Sequence, residues 1–295
     1  MSFRLKHRRS IGHELERLVR KELRAAIARL EEGPPDEAGV HEARKSVKKV
    51  RAIVKLLRAP LGPRYAAGNK RLRAVARRLS QLRDADASLE TLDALYGRYP
   101  AVLPVAPKRR LRRGLQHRRH DAQRRTGALV GPALAELRRA RKTLPDRIAK
   151  AATFRKVRAG VVRGYERALA ASRDLTVDSD ALAFHRWRRR VKDHWYHVRL
   201  FEARHSTPRD RSRSLWQLES DLGDGHNVAL LNGLLLADPN QFGDARTIAL
   251  VLGCIQKRQR VLRAQALTRG SRLFTVTAHA FRAAVTSWWH PEGKR

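Results

Sequence analysis

Acidic residues are scarce in this chain. Only 28 aspartates and glutamates accompany 65 lysines and arginines over 295 residues, a formal net charge of +37. An excess of that size points to a polyanionic partner: nucleic acid, an anionic surface or a phosphate polymer. Cysteine is almost missing. Cys254 is the single one, in the apolar run Ile248 to Ile255, so no disulfide framework can form, and a reducing compartment is expected. A small buried hydrophobe is the expected role of that thiol. Long apolar runs are missing too. The longest, near Val228–Ala237 and Ile248–Ile255, reach about ten residues, against the roughly 20 that span a bilayer. Phe3 to Arg9 alternates with cations and leads into no apolar stretch, so no signal peptide is read there. A cytoplasmic protein with no membrane partner is the expectation.

Catalytic signatures are also lacking. There is no GxxxxGK[ST] loop and no GxGxxG after a strand. There is no HExxH either, and nucleophilic catalysis has no local signature. The chain has 12 histidines, and His117/His120 and His194/His197 are spaced to share helix faces. Cations crowd both pairs and no carboxylate set accompanies them, so they read as structural or surface residues, with no metal and no cofactor expected. A phosphate-cleaving enzyme is the weakest reading, since paired carboxylates for metals are absent. Strand-like alternation of any length is absent as well, whereas a hydrophobic content of 42% suffices for packed cores.

What is present is helical. In the stretch Val40 to Arg58, winding at about 100° per residue puts His41, Arg44, Lys45, Lys48 and Lys55 on one face. Ala43, Val47, Val50, Val54 and Leu57 fall on the opposite face, as in a helix packed on one side. The stripe recurs 144 positions on, at His185, Arg188, Arg189, Lys192 and Arg199, with Trp187, Val191, Val198 and Phe201 as its apolar back. Two copies in one register imply an internal duplication. Trp195, however, stands where Arg51 does.

Read in order, the chain repeats one helical grammar. A first helix spans about His13 to Glu31, apolar at helical spacing apart from Glu22, and stops at Gly33-Pro34-Pro35-Asp36. The first stripe helix ends at Ala59-Pro60-Leu61-Gly62-Pro63. A third helix is expected from about Arg64 to Tyr96, with Gly68 as a bend and Lys70, Arg73 and Arg77 as a basic flank. Gly97 to Pro107 is a loop, Lys108–Thr126 and Ala128–Thr143 are two helical segments, and Leu144-Pro145-Asp146 is the best linker. Phe154–Ser172 then replays the first helix, and Ala245–Thr268 and Thr275–Trp289 close the second unit. The expected fold is all-α: two tandem four-helix bundles, residues 1–145 and 146–295, related by an approximate two-fold axis.

Cations at offsets 0, 3, 4, 7 and 14 span about 21 Å of helix, which suits a linear polyanion. Arginine grips phosphate oxygens with a planar fork, and lysine acts as a mobile point charge. Like charges at Arg44/Lys48 and Arg188/Lys192 destabilise a free helix by about 0.2–0.5 kcal/mol per pair, so a ligand explains them better than folding does. His41 and His185 could donate to a phosphate or bond to a neighbour at a helix start. Arg83, Asp84 and Asp86 read as structural, with carboxylates that fix cation rotamers; His226, Asn227 and Ala229 hold the matching places.

The doubled HxxRKxxK-type helix, each copy followed by an element like Leu82-Arg83-Asp84-Ala85-Asp86, resembles the CHAD domain, the conserved-histidine α-helical domain. Phe3-Arg4-Leu5 and the run Leu79–Leu95 resemble it as well. The resemblance implies two four-helix bundles about a pseudo-two-fold, basic residues lining a central groove, and binding of inorganic polyphosphate without catalysis. Carried over by position, the ligand set is His41, Arg44, Lys45, Lys48 and Lys55 with His185, Arg188, Arg189, Lys192 and Arg199. Arg51 and the flank Lys70, Arg73 and Arg77 complete the expected site. Polyphosphate granules in the cytoplasm would be the implied location. A nucleic-acid-binding protein is the alternative, with nucleic acid otherwise a weaker polyanionic partner.

Overall fold

The computed structural model describes residues 3–6, 9–32, 37–203 and 206–289; the stop expected at Gly33-Pro34-Pro35-Asp36 lies outside them. Among the described residues the protein is all-α. Eleven helices and one short 3-10 turn account for its regular structure, with no strand. The first helix, α1 (Ile11–Glu31), is capped by Ser10, whose hydroxyl accepts from the His13 N–H at 3.4 Å. Its buried stripe includes Leu15, Leu18, Val19, Leu23 and Ile27. The glutamate that interrupts the apolar pattern is buried too. Glu22 accepts from the Ser46 hydroxyl at 2.8 Å and from the Lys49 ammonium at 3.0 Å, tying α1 to α2 (Glu37–Leu56).

Ala43, Val47, Val50, Val54 and Leu57 are all essentially inaccessible, so the apolar back of α2 is its core face. After α2, the single turn α3 (Arg58–Leu61) ends at Gly62, whose φ of +53° suits glycine alone. The third expected helix is two helices. α4 (Pro63–Arg78) and α5 (Ser80–Arg98) divide at Leu79, while Gly68 sits inside α4 without breaking it.

A larger correction concerns α6 (Val105–Ala151), a single helix of 47 residues where two segments and a linker were expected. Pro132 and Pro145 lie inside it. Each proline removes one backbone hydrogen bond, which breaks a weakly held helix. Here α1 packs along α6, Pro145 is buried, and Arg20 of α1 pairs with Asp146. That bracing holds the helix through Leu144-Pro145-Asp146.

The chain continues through α7 (Phe154–Ala170), α8 (Ala181–Arg199), α9 (Ser206–Ala237), α10 (Ala245–Leu273) and α11 (Ala278–Trp289). Two apolar clusters result. The larger joins α1, α2, α4, α7, α8 and α11 with parts of α6, α9 and α10. The smaller packs Leu92, Leu95, Leu111 and Leu115 against Val228, Leu231, Val251 and Ile255, and so joins α5 and α6 to α9 and α10. Both clusters draw on residues before and after position 145. Cys254 is buried in the smaller one, as a small hydrophobe.

The amino-terminal arm closes the larger core. Phe3 meets the Tyr196 ring edge-on at 5.9 Å, and the Leu5 N–H donates to the Leu200 carbonyl at 2.8 Å. Across the molecule, α7 crosses the end of α2 so closely that a Cβ on Gly160 would stand 2.2 Å from the Leu56 carbonyl oxygen. Gly160→Ala should therefore destabilise the protein by about 2 kcal/mol or more in urea denaturation, because backbone must move. Gly253→Ala, on an open face of α10, should instead stabilise by up to about 1 kcal/mol through helix propensity.

Candidate functional site

With their apolar backs turned to the core, α2 and α8 present their basic fronts to one another. Trp187, Val191, Val198 and Phe201 are buried behind α8 as their counterparts are behind α2. Arg44 lies in the field of Arg188, and Lys48 in the field of Lys192, Arg44 and Arg188. Each cation thus meets the residue 144 positions further on. Three carboxylates answer these four charges, one of them Asp224 of α9, which lies in the field of Arg188. Glu219 of α9 pairs with both Lys192 and Arg188, the latter at 3.4 Å. Asp84 of α5 faces Arg44, Lys48 and Arg188.

Burial sets the electrostatics of this seam. It lowers the Lys48 ammonium, with Lys192, Arg44 and Arg188 adding repulsion, to a pKa of about 7. Burial raises the Asp84 carboxyl above its ordinary value, against the pull of Arg44, Lys48 and Arg188. Arg44 is only 8% exposed; it donates to the Ser80 carbonyl at 3.3 Å, and its Nε has no partner.

Two contacts pin the seam further along. Lys55 donates to both oxygens of Asp193, at 2.6 and 2.7 Å. The Nε2 of His197 lies 3.0 Å from the Ala52 carbonyl, which makes that nitrogen the protonated one and leaves Nδ1 as an acceptor. Burial holds His197 at about 4. His194, wholly buried, is held well below the ordinary histidine value by the same cause. Among the described residues no three metal-ligating side chains come together.

Beyond the Lys55–Asp193 bridge the seam opens into a recess between α2, α4, α7 and α8. Arg51, Arg163 and Arg167 line it together with Arg73 and Arg189, and Arg58 and Arg190 stand at the same opening.

The sequence model of the CHAD domain matches residues 15–236. The chain belongs to the CHAD domain family. Its fold is similar to the crystal structure of the CHAD domain from the plant Ricinus communis, with a TM-score of 0.57 and 20% identity, covering 94% of this chain and 89% of that one. It is also similar to PptA from Streptomyces chartreusis, with a TM-score of 0.63 and 16% identity, covering 91% of this chain and all of the other. At these identities the likeness is one of fold. No curated protein matches the sequence.

Within this CHAD domain the expected residues separate into groups. Arg44, Lys48, Arg188, Lys192 and Lys55 meet in the seam, and Arg51, Arg73 and Arg189 border the recess. Lys45 is exposed and pairs with Glu42 of its own helix at 2.7 Å. Lys70 and Arg77 are exposed on α4. Arg199 lies over the rings of Trp195 and Phe3, at 4.9 and 6.0 Å, beside the amino-terminal arm.

His41 is half-buried and held below its ordinary value by burial, then by Arg83 and Lys45. His185 packs against His226 with ring centres 4.5 Å apart. Burial lowers both, and His226, further repelled by Arg188 and His185, falls to about 3. Arg83 thus stands beside His41 as His226 stands beside His185. The acidic run divides its labour: Asp86 pairs with Arg119 of α6 at 2.6 Å, and Arg83 makes two 2.9 Å bonds to Glu90.

Sequence reasoning missed Glu219 and the arginines Arg58, Arg163, Arg167 and Arg190. A signal for two of them exists. Gly160, Arg163, Gly164 and Arg167 fall at offsets 0, 3, 4 and 7, one helix face on which glycines admit a neighbouring backbone and arginines flank it.

The seam's charge makes a pH-dependent test. Lys48 titrates near 7 when folded and near its ordinary value of 10.5 when unfolded. Between those values the unfolded chain binds more protons, so this group makes stability rise with pH and costs most below pH 7. Lys48→Met should therefore stabilise the protein by on the order of 2 kcal/mol at pH 6, in chemical denaturation, with the gain shrinking toward pH 10.

Proposed function

We propose that this CHAD domain binds inorganic polyphosphate, without chemical turnover, along the seam between α2 and α8. The observation that carries the reading is the meeting of Arg44, Lys48, Arg188 and Lys192 across the seam, with only Glu219, Asp84 and Asp224 to balance them. Four cations held this way repel one another, and a polyanion laid between them would replace repulsion with charge-assisted hydrogen bonds. The pairing of each cation with its counterpart 144 residues on supports two bundles related by duplication and a pseudo-two-fold, with the seam at their meeting.

Accessibility favours a thin polymer over a duplex. Arg44 is nearly covered, and Lys48 and Lys192 are half-buried. Duplex DNA offers its phosphates from a broad convex surface, whereas a phosphate chain can thread between two helices. Glu219 and Asp193 support a binding role because each is occupied in holding cations, at Lys192 and at Lys55. Cytoplasmic polyphosphate, including that in granules, is the partner this reading assigns, and nucleic acid is the weaker one. The exposed basic part of α6 around Lys108–Arg125 is where a nucleic acid would bind instead.

Long-chain polyphosphate and duplex DNA should be titrated against the protein in direct competition at fixed salt. Polyphosphate should win at physiological salt, with log affinity falling steeply and linearly with log salt as counterions are released. The double variant Lys48→Ala, Arg189→Ala should lose at least tenfold in polyphosphate affinity with the fold intact, while Lys45→Ala should change it less than about threefold. A wild type that prefers the duplex would overturn the assignment in favour of a nucleic-acid-binding protein.

A further inference from the structure

The recess at the end of the seam differs from the seam itself in one respect. Its arginines form no ion pair among the described residues, although Asp193 also lines it and attracts Arg51. Lys55 is matched by Asp193, but among the described residues Arg51, Arg163, Arg167 and Arg189 form no ion pair, and neither do Arg58, Arg73 or Arg190. The seven repel one another at short range: Arg167 is opposed by Arg190, Arg58 and Arg163, and Arg51 by Arg189 and Arg73. Two of their nitrogens, Arg51 Nε and Arg163 Nη2, are buried with no hydrogen-bond partner. An unpaired buried donor on a charged group is costly to keep, and surface charge alone does not explain keeping two of them in one cavity.

The shape is that of a socket. Lys55, Asp193 and His197, whose contacts pin α2 to α8, line it on the side that meets the seam. On another side α7 is driven against α2 by Gly160 and stands close to His197 at Gly164, where a Cβ would come within 2.8 Å of the ring. Backbone therefore bounds the recess where α7 meets α2.

Phosphate groups in the middle of a polyphosphate chain carry about one negative charge each. A terminal group carries close to two at neutral pH, because its second proton leaves near pH 6 as in a phosphomonoester. It also offers three free oxygens to arginine forks. We propose that the recess lined by Arg51, Arg163 and Arg167 is an end-binding socket that holds the doubly charged terminal phosphate of a linear polyphosphate chain whose interior lies along the seam. The inference rests on the polyphosphate reading and adds to it a preference for chain ends.

Linear hexaphosphate and cyclo-octaphosphate make a direct test, since they carry equal total charge when fully ionised and only the linear one has ends. Affinities measured by calorimetry at mildly alkaline pH should favour the linear ligand by at least tenfold. In the double variant Arg163→Gln, Arg167→Gln that preference should collapse to within about twofold, with affinity for the ring falling far less than affinity for the chain. Lys48→Met, in the seam, should weaken both ligands and keep the ratio. A wild type that binds chain and ring equally would overturn the socket and leave polyphosphate binding standing. A wild type that binds neither would overturn both readings. Orthophosphate should compete for the recess only at far higher concentration than the linear chain. If it abolished the preference at matched concentration, the recess would be a site for free phosphate and the end-binding proposal would fail.

Discussion

Repulsion between like charges at the α2–α8 seam is the constraint around which the rest of the molecule is built. Arg44, Lys48, Arg188 and Lys192 gather where burial already penalises charge, strongly enough to bring Lys48 to about 7. Nothing local favours this. The i,i+4 pairs within each helix oppose helix formation, and the contacts between helices oppose their docking. The apolar backs supply the opposing force. Val47, Val50, Val54, Trp187, Val191 and Val198 are all inaccessible, and burying a side chain of this size contributes about 1.5–3 kcal/mol. A large core thus holds together a front that would otherwise spring apart, and a site organised before its ligand arrives spends little binding energy on rearrangement.

Long helices carry that force across the molecule. α6 reaches from the smaller apolar cluster to the larger, and α9 does the same from the other side. Because both clusters mix residues from before and after position 145, strain at the seam is shared by the whole chain. The same continuity explains why the sequence was misleading at Leu144-Pro145-Asp146. Proline signals a break through local chemistry, but Pro145 is buried, in a helix packed along α1 and fastened by the Arg20–Asp146 pair.

The stripes were legible because their periodicity is local: one helix places His41, Arg44 and Lys48 on a face whatever surrounds it. That α2 and α8 face each other is a tertiary fact, and only the 144-residue repeat hinted at it. Lys45 and Arg199 show the limit of the pattern. Both share the stripe's register, yet Lys45 turns to Glu42 and Arg199 to Phe3 and Trp195. A stripe is wider than the seam it serves, and the partner helix selects which edge is used. Glu219 was invisible for a related reason. It comes from α9, where no repeat of Asp84 pointed to it.

These differences break whatever symmetry a duplication would have left. In the first half the acid beside the stripe is Asp84, from α5, whereas in the second it is Glu219, from α9. The ends of the two stripes differ more. At the end of α2, arginines that form no ion pair line the recess. At the matching end of α8, Trp195 replaces the counterpart of Arg51 and the amino-terminal arm fills the space. Phe3 lies there beneath Lys49 and Arg199, and Glu22 neutralises Lys49. One end of the seam is therefore stoppered with an aromatic ring and a carboxylate, and the other opens into a recess lined by arginines. A phosphate chain itself has two identical ends, so any direction in its binding must come from the protein, and this asymmetry is where it would arise.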